Sequence, residues 1–172
     1  MSASFEDKQI HKITKLSMIP SSAYGLTKKS ARYYIVSDKK PEHGDVIYGE
    51  VDRIGQHQSL ESKIGRTHKI YTKDRSIFVF GNRYAPDYYE ALIPNTFEEE
   101  VDLVARSGVV SRMVNKNNKK KDPTSIKVLG YVCDSKGEIL NTTKHPLVVP
   151  QLTEKKSRRA KMIVFVGTSM NS

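Results

Sequence analysis

The chain has 172 residues, 37% of them hydrophobic, which suits one domain with a real core and a short appendage. Its single cysteine, Cys133, excludes an internal disulfide and a thiolate zinc cage. No apolar run reaches the roughly 20 residues of a membrane-spanning helix, and Met1–Lys8 lacks the basic-then-apolar layout of a secretory leader. A cytoplasmic protein without a membrane partner is expected. The net charge of +10 is concentrated, because Asn115–Lys121 and Glu154–Lys161 each carry +4 and the remainder only +2. Such runs are commonly solvated and self-repelling, yet they also bind phosphate backbones in a salt-dependent, sequence-independent way.

Residues 1–30 read as a polar N-terminal extension, with Ile10, Ile13, Leu16 and Ile19 spaced loosely like one face of a short helix that Pro20 ends. Residues 32–37 (Arg-Tyr-Tyr-Ile-Val-Ser) and 46–54 then form strands, being β-branched and aromatic, with a Pro-Glu-His-Gly turn between them. Val46, Ile47 and Tyr48 are continuously apolar, which predicts a strand covered on both faces, and Gly49 predicts a bulge or sharp bend. Further strands are expected at 67–71 and 76–80. Asn95-Thr-Phe-Glu-Glu-Glu has a capping-box look, and Phe97, Val101, Val104 and Ala105 share helical spacing, so a helix is expected near 96–106, closed by Gly108. Strands at 109–114 and 126–133 and a hairpin through Asp134-Ser-Lys-Gly complete the set. The fold class that follows is mainly β with one helix, a small OB-like or related β-barrel over 31–145. Residues 146–161, with Pro146, Pro150 and the second basic run, have linker composition.

Two stretches of the barrel region carry candidate ligand-binding residues. In Gly81-Asn-Arg-Tyr-Ala-Pro-Asp, Asn82 accommodates unusual backbone angles, Arg83 offers a planar fork for phosphate or carboxylate, and Tyr84 and Tyr88 offer stacking faces. A plain strand-end turn, with Arg83 paired to Asp87, fits the same residues. The second stretch, 54–68, contains His57 and Arg66 and reads as polar loops at one barrel end. His43, His57 and His68 lack metal-ligand spacing, so no metal is expected. Cys133 lies in an apolar strand and reads as a small buried side chain. With no nucleophile elbow and no paired acids outside a single Glu run, the body suggests recognition more than catalysis. Arg32 with Tyr33, Arg66, Arg83 and the loop lysines would form a binding surface for single-stranded nucleic acid or another anionic ligand.

The closing residues add a different signal. Residues 162–166 (Met-Ile-Val-Phe-Val) are a buried-type strand, followed by Gly167, Thr168, Ser169, Met170, Asn171 and Ser172. A phosphate-binding loop is built from such a strand and a Gly-led turn whose N–H groups converge on phosphate. The stretch resembles the opening of that loop in the dethiobiotin-synthetase-like branch of P-loop NTPases, which begins Gly-Thr and holds five residues between its glycines. Ser169 departs from the Asp often found there, and the lysine is absent. The resemblance implies partial nucleotide-binding residues at Gly167, Thr168, Ser169, Asn171 and Ser172. It also implies a longer parent protein, truncated here, whose missing C-terminal NTPase domain is the partner of this chain and uses ATP or GTP with Mg2+. On this reading the fragment itself needs no cofactor and does not turn over nucleotide.

Overall fold

A computed structural model describes residues 9–144 together with Ile163. The strands, in chain order, are β1 (Ile10–Lys12), β2 (Tyr33–Ile35), β3 (Val46–Arg53), β4 (Ser59–Glu61), β5 (Thr67–Lys69), β6 (Arg75–Phe80), β7 (Arg83–Tyr84), β8 (Tyr89–Leu92), β9 (Glu100–Leu103), β10 (Val109–Lys116) and β11 (Thr124–Cys133). Nine of them form one sheet in the order β1-β2-β11-β3-β6-β10-β8-β7, with β9 joined to both β10 and β11. Leu103 lies opposite Val110 on one side and Thr124 on the other, and Asp102 opposite Ser111 and Ser125. The pairings β3–β6–β10–β9–β11 therefore close on themselves, and β6 with β10 is the one parallel pair in that circuit. Beyond the circuit, β2 and β1 extend the sheet on the β11 side, and β8 and β7 extend it past β10. The protein is mainly β, and these flanking strands keep it from being a clean barrel.

The period of two along β3 explains the layering. Ile47 and Val51 point inward to Phe78, Phe80, Val101, Leu103, Val110, Ile126 and Tyr131, while Leu60 and Ile70 from the β4–β5 hairpin join the same core. Val46 and Tyr48 point outward, where Ile77, Val79 and Val132 meet Ile19, Ala23, Leu26 and Ala31. The outer face of β3 and β6 is thus sealed by the N-terminal segment, and every residue from Val46 to Val51 is buried, as the apolar run predicted. Gly49 faces the interior. A Cβ there would lie 2.6 Å from Ile126 Cγ2 and 3.1 Å from the Phe78 ring, so the glycine makes room for two large neighbours. Opposite it the register shifts between Val128 and Gly130. Gly130 has φ +155°, and a Cβ would come within 2.4 Å of the Ile35 carbonyl oxygen, so only glycine lets β2 approach.

Three expectations are corrected. The helix near 96–106 is absent: β9 occupies its centre, and among the described residues the only helical turns are short 3-10 turns at Ser21–Ala23 and Thr142–Lys144. Val101 and Leu103 alternate into the core while Asp102, largely buried, accepts the Met113 N–H at 2.8 Å. Over so short a segment helical and strand spacing overlap, and the unpaired edges of β10 and β11 decide the outcome. The short helix suggested by Ile10–Ile19 is also absent, since Ile10–Lys12 pairs with β2. Finally, the N-terminal stretch is no loose extension, because its described part covers the sheet. The predicted strands at 32–37, 46–54, 67–71, 76–80, 109–114 and 126–133 are present with adjusted ends, and Tyr89–Leu92 is an additional one. The predicted basic linker, 146–161, lies outside the described residues. No helix of the described residues is long and apolar enough to cross a membrane.

Candidate ligand-binding surface

The ribbon β7–β8–β10 has two faces set by register. Arg83, Ala91 and Met113 lie in one row, and Tyr84, Glu90 and Asn115 in the next. The first row faces a small core of Tyr89, Ala91 and Val104. The second row opens on a groove of about 240 Å3, to which Tyr88, Lys116 and Asn117 also contribute. Tyr84 is 77% exposed, so its ring presents a face to solvent.

The lysine run is folded against this ribbon. The Asn117 N–H donates to the Tyr88 carbonyl at 3.0 Å, and the Tyr89 hydroxyl donates to the Lys121 carbonyl at 2.8 Å. The Lys121 N–H donates to Gln56 Oε1 at 3.0 Å, and the Gln56 N–H to the Asp122 carbonyl at 2.8 Å. Lys120 Nζ sits 4.1 Å from the Tyr88 ring centroid, a cation–π contact. Tyr88 is also stacked near His57, whose ring is nearly parallel at 6° with centroids 5.8 Å apart, and meets Tyr89 edge-on. Three segments distant in sequence, Gly55–Gln58, Arg83–Tyr89 and Lys116–Asp122, therefore meet at one end of the sheet.

Two buried side chains at this end are held in their neutral forms. His57 is buried, and its Nε2 lies 3.1 Å from the Val104 carbonyl, so that nitrogen carries the proton and donates. Burial, with the positive charges of Arg83 and Arg106 nearby, lowers its pKa and keeps the ring neutral. Burial and the charges of Asp122 and Asp102 push the Tyr89 hydroxyl up to about 12, so it remains a donor. Lys116 is paired with Asp122, whose carboxyl that hydrogen bond holds below its ordinary value. Lys119 and Lys121 are exposed and make no ion pair among the described residues. Arg83 Nε is enclosed and has no hydrogen-bond partner.

Of the residues singled out from sequence, His57, Arg83 and Tyr84 come together at this end. Arg83 makes no ion pair with Asp87, which is exposed. Asn82 Oδ1 accepts the Ile93 N–H at 2.8 Å and so pins the chain beyond β8. Arg66 is in the exposed β4–β5 turn, where its N–H donates to Ser62 Oγ at 3.2 Å. Arg32 precedes β2 at the opposite end of the sheet path, lining a different concavity with Tyr33, so it does not join Arg83 in one surface. Gly167, Thr168, Ser169, Asn171 and Ser172 lie outside the described residues. Glu90, Asn115 and Asn117 were not foreseen. Their signal was the strand Tyr89–Leu92, which the tyrosine-rich, proline-interrupted segment hides. Among the described residues no three His, Cys, Asp or Glu side chains are grouped to hold a metal ion.

No family model, no curated protein and no solved structure matches this chain. Function rests on the geometry.

Proposed function

We propose that this chain is a recognition domain that takes single-stranded nucleic acid across the end of the sheet where β7, β8 and the loop after β10 meet. The observation that carries this reading is that the Asn115–Lys121 lysine run packs on Tyr88 and borders the groove that exposed Tyr84 lines. Cations beside an exposed aromatic face, here that of Tyr84, are what an unpaired base and its phosphate require. Arg83, next to Tyr84 on β7, adds a guanidinium charge beside that groove. The strand circuit supports it as well. Counted from β11, the order β11–β3–β6–β10–β9 with β6 and β10 parallel is compatible with an OB-like barrel whose first strand stands last in the chain. OB-like folds bind oligonucleotides over the second and third strands, here β3 and β6, and that face is sealed by Ile19, Ala23, Leu26 and Ala31. We therefore assign the ligand to the β7–β8 end.

The test is anisotropy of a labelled single-stranded oligonucleotide over a salt series. Binding weakens steeply with salt, and Tyr84→Ala weakens it about tenfold while the melting temperature stays unchanged. Absence of binding at low salt, or binding that survives Tyr84→Ala combined with Lys119, Lys120 and Lys121→Ala, would discard the reading.

From the Val166-Gly-Thr pattern we also propose that this recognition serves a P-loop NTPase domain beginning near Lys161, using ATP or GTP with Mg2+. The parent coding sequence settles it: Gly-Lys-Ser or Gly-Lys-Thr directly after, or within a residue of, Ser172 supports the proposal, and any other continuation removes it.

A further inference from the structure

At the other end of the sheet path, the residues preceding β2, the turn after β11 and the 3-10 turn at Thr142–Lys144 surround a concavity of about 570 Å3. That is within the usual range for a small-molecule site. We propose that it binds a ribonucleoside monophosphate, with Lys29, Arg32 and Lys144 taking the phosphate, Tyr33 the base, and Asp134 and Glu138 the sugar hydroxyls.

The charge pattern points to that ligand class. Lys29 and Arg32 belong to the one segment that leads into β2, Lys144 comes from the distant 3-10 turn, and none has an ion-pair partner among the described residues. Three cations against the two carboxylates of Asp134 and Glu138 leave the lining net positive, with a place for a phosphate, and Arg32 supplies the planar fork that grips two of its oxygens. Glu138 is likewise without a cation partner, although it borders the same space. A carboxylate without a cation partner is suited to accept hydrogen bonds from the hydroxyl groups of a sugar. Tyr33, opposite Cys133 in the register, is half-buried and packs against the main core, so its ring is held in place.

The backbone on each side is fixed before any ligand arrives. Thr27 and Ser30 lock the first turn through the Thr27 N–H to Ser30 Oγ at 2.8 Å and Ser30 Oγ–H to the Thr27 carbonyl at 3.0 Å, and buried Leu26 and Ala31 anchor its flanks. Asp134 Oδ1 accepts the N–H groups of Lys136 at 2.8 Å and Glu138 at 3.0 Å, which sets the second turn. Asn141 Nδ2 donates to the His43 carbonyl at 2.9 Å and to Asp45 Oδ1 at 3.0 Å, which sets the third. Binding a ligand here orders side chains and little backbone.

This site is independent of the nucleic-acid surface, and calorimetry on the full chain with the four ribonucleoside 5′-monophosphates tests it. At least one binds saturably below about 1 mM, its unphosphorylated nucleoside binds at least about tenfold more weakly, and Arg32→Gln weakens the nucleotide about tenfold. Tyr84→Ala leaves that affinity unchanged, whatever it does to oligonucleotide binding. No saturable binding of any of the four overturns the proposal, and so does affinity unaffected by Arg32→Gln or matched by inorganic phosphate alone. Arg32 is exposed, so the substituted chain keeps its melting temperature, and that measurement accompanies the titration.

Discussion

Arg83→Met separates a structural from a binding role at the most function-like arginine of the chain. Arg83 lies opposite Ala91 in the β7–β8 pair, and its Nε is enclosed without an acceptor. An enclosed, unpartnered N–H costs about 1–3 kcal/mol. Methionine keeps most of the aliphatic length while removing the donor and the charge. The substitution is therefore expected to raise the unfolding free energy by about 1 kcal/mol, or about 4 °C in melting temperature for a domain of this size. It also removes one of the positive charges that lower the His57 pKa, so that pKa rises. Oligonucleotide affinity moves the other way and falls at least about fivefold, since the ligand loses a charged donor. Urea unfolding followed by circular dichroism, with anisotropy on the same samples, reads both effects. A drop of more than about 4 °C would show that the guanidinium holds the fold together, and unchanged affinity would show that no ligand oxygen reaches it.

Other consequences are as direct. The folded-state pKa of His57 lies below the ordinary 6.5, so on acidification the unfolded chain takes up the proton first. Stability present above pH 6.5 is lost as pH falls towards the folded value, by at most about 1.4 kcal/mol per pH unit, and His57→Gln flattens that part of the melting profile. Burial pushes the Cys133 thiol up to about 11, and the side chain is wholly enclosed, so a thiol reagent at neutral pH labels it only as fast as the protein unfolds. Labelling of native protein at the rate of a free thiol would contradict that placement. Leu103→Ala opens the core at the strand that closes the circuit and lowers stability by about 2–5 kcal/mol in urea unfolding. Gly49→Val loses about 1–3 kcal/mol or more, because Ile126 and the Phe78 ring must both move aside; a stability unchanged within error would refute the close packing drawn for that position.

The strands of the core were legible because their own residues demand burial. Val46-Ile-Tyr needs cover on both sides wherever it sits, and the structure supplies it. Gly49 was legible as an irregularity for the same local reason. What could not be read were outcomes decided by a partner distant in sequence. The segment 96–106 satisfies helix spacing and strand alternation about equally, and it becomes β9 because β10 and β11 both need an edge filled. The N-terminal stretch is polar enough to pass for an extension, and only the apolar outer face of β3 and β6 draws Ile19 and Leu26 onto the sheet. The candidate site divides in the same way. Arg83, Tyr84 and His57 were chosen for their chemistry, and that choice required no neighbours. That the lysine loop lies over Tyr88, and that Arg32 is at the far end of the sheet path, followed from β8 pairing with β10 and β2 with β11. Residue type determined which groups can bind an anion, whereas strand pairing over long sequence separations decided which of them share a surface.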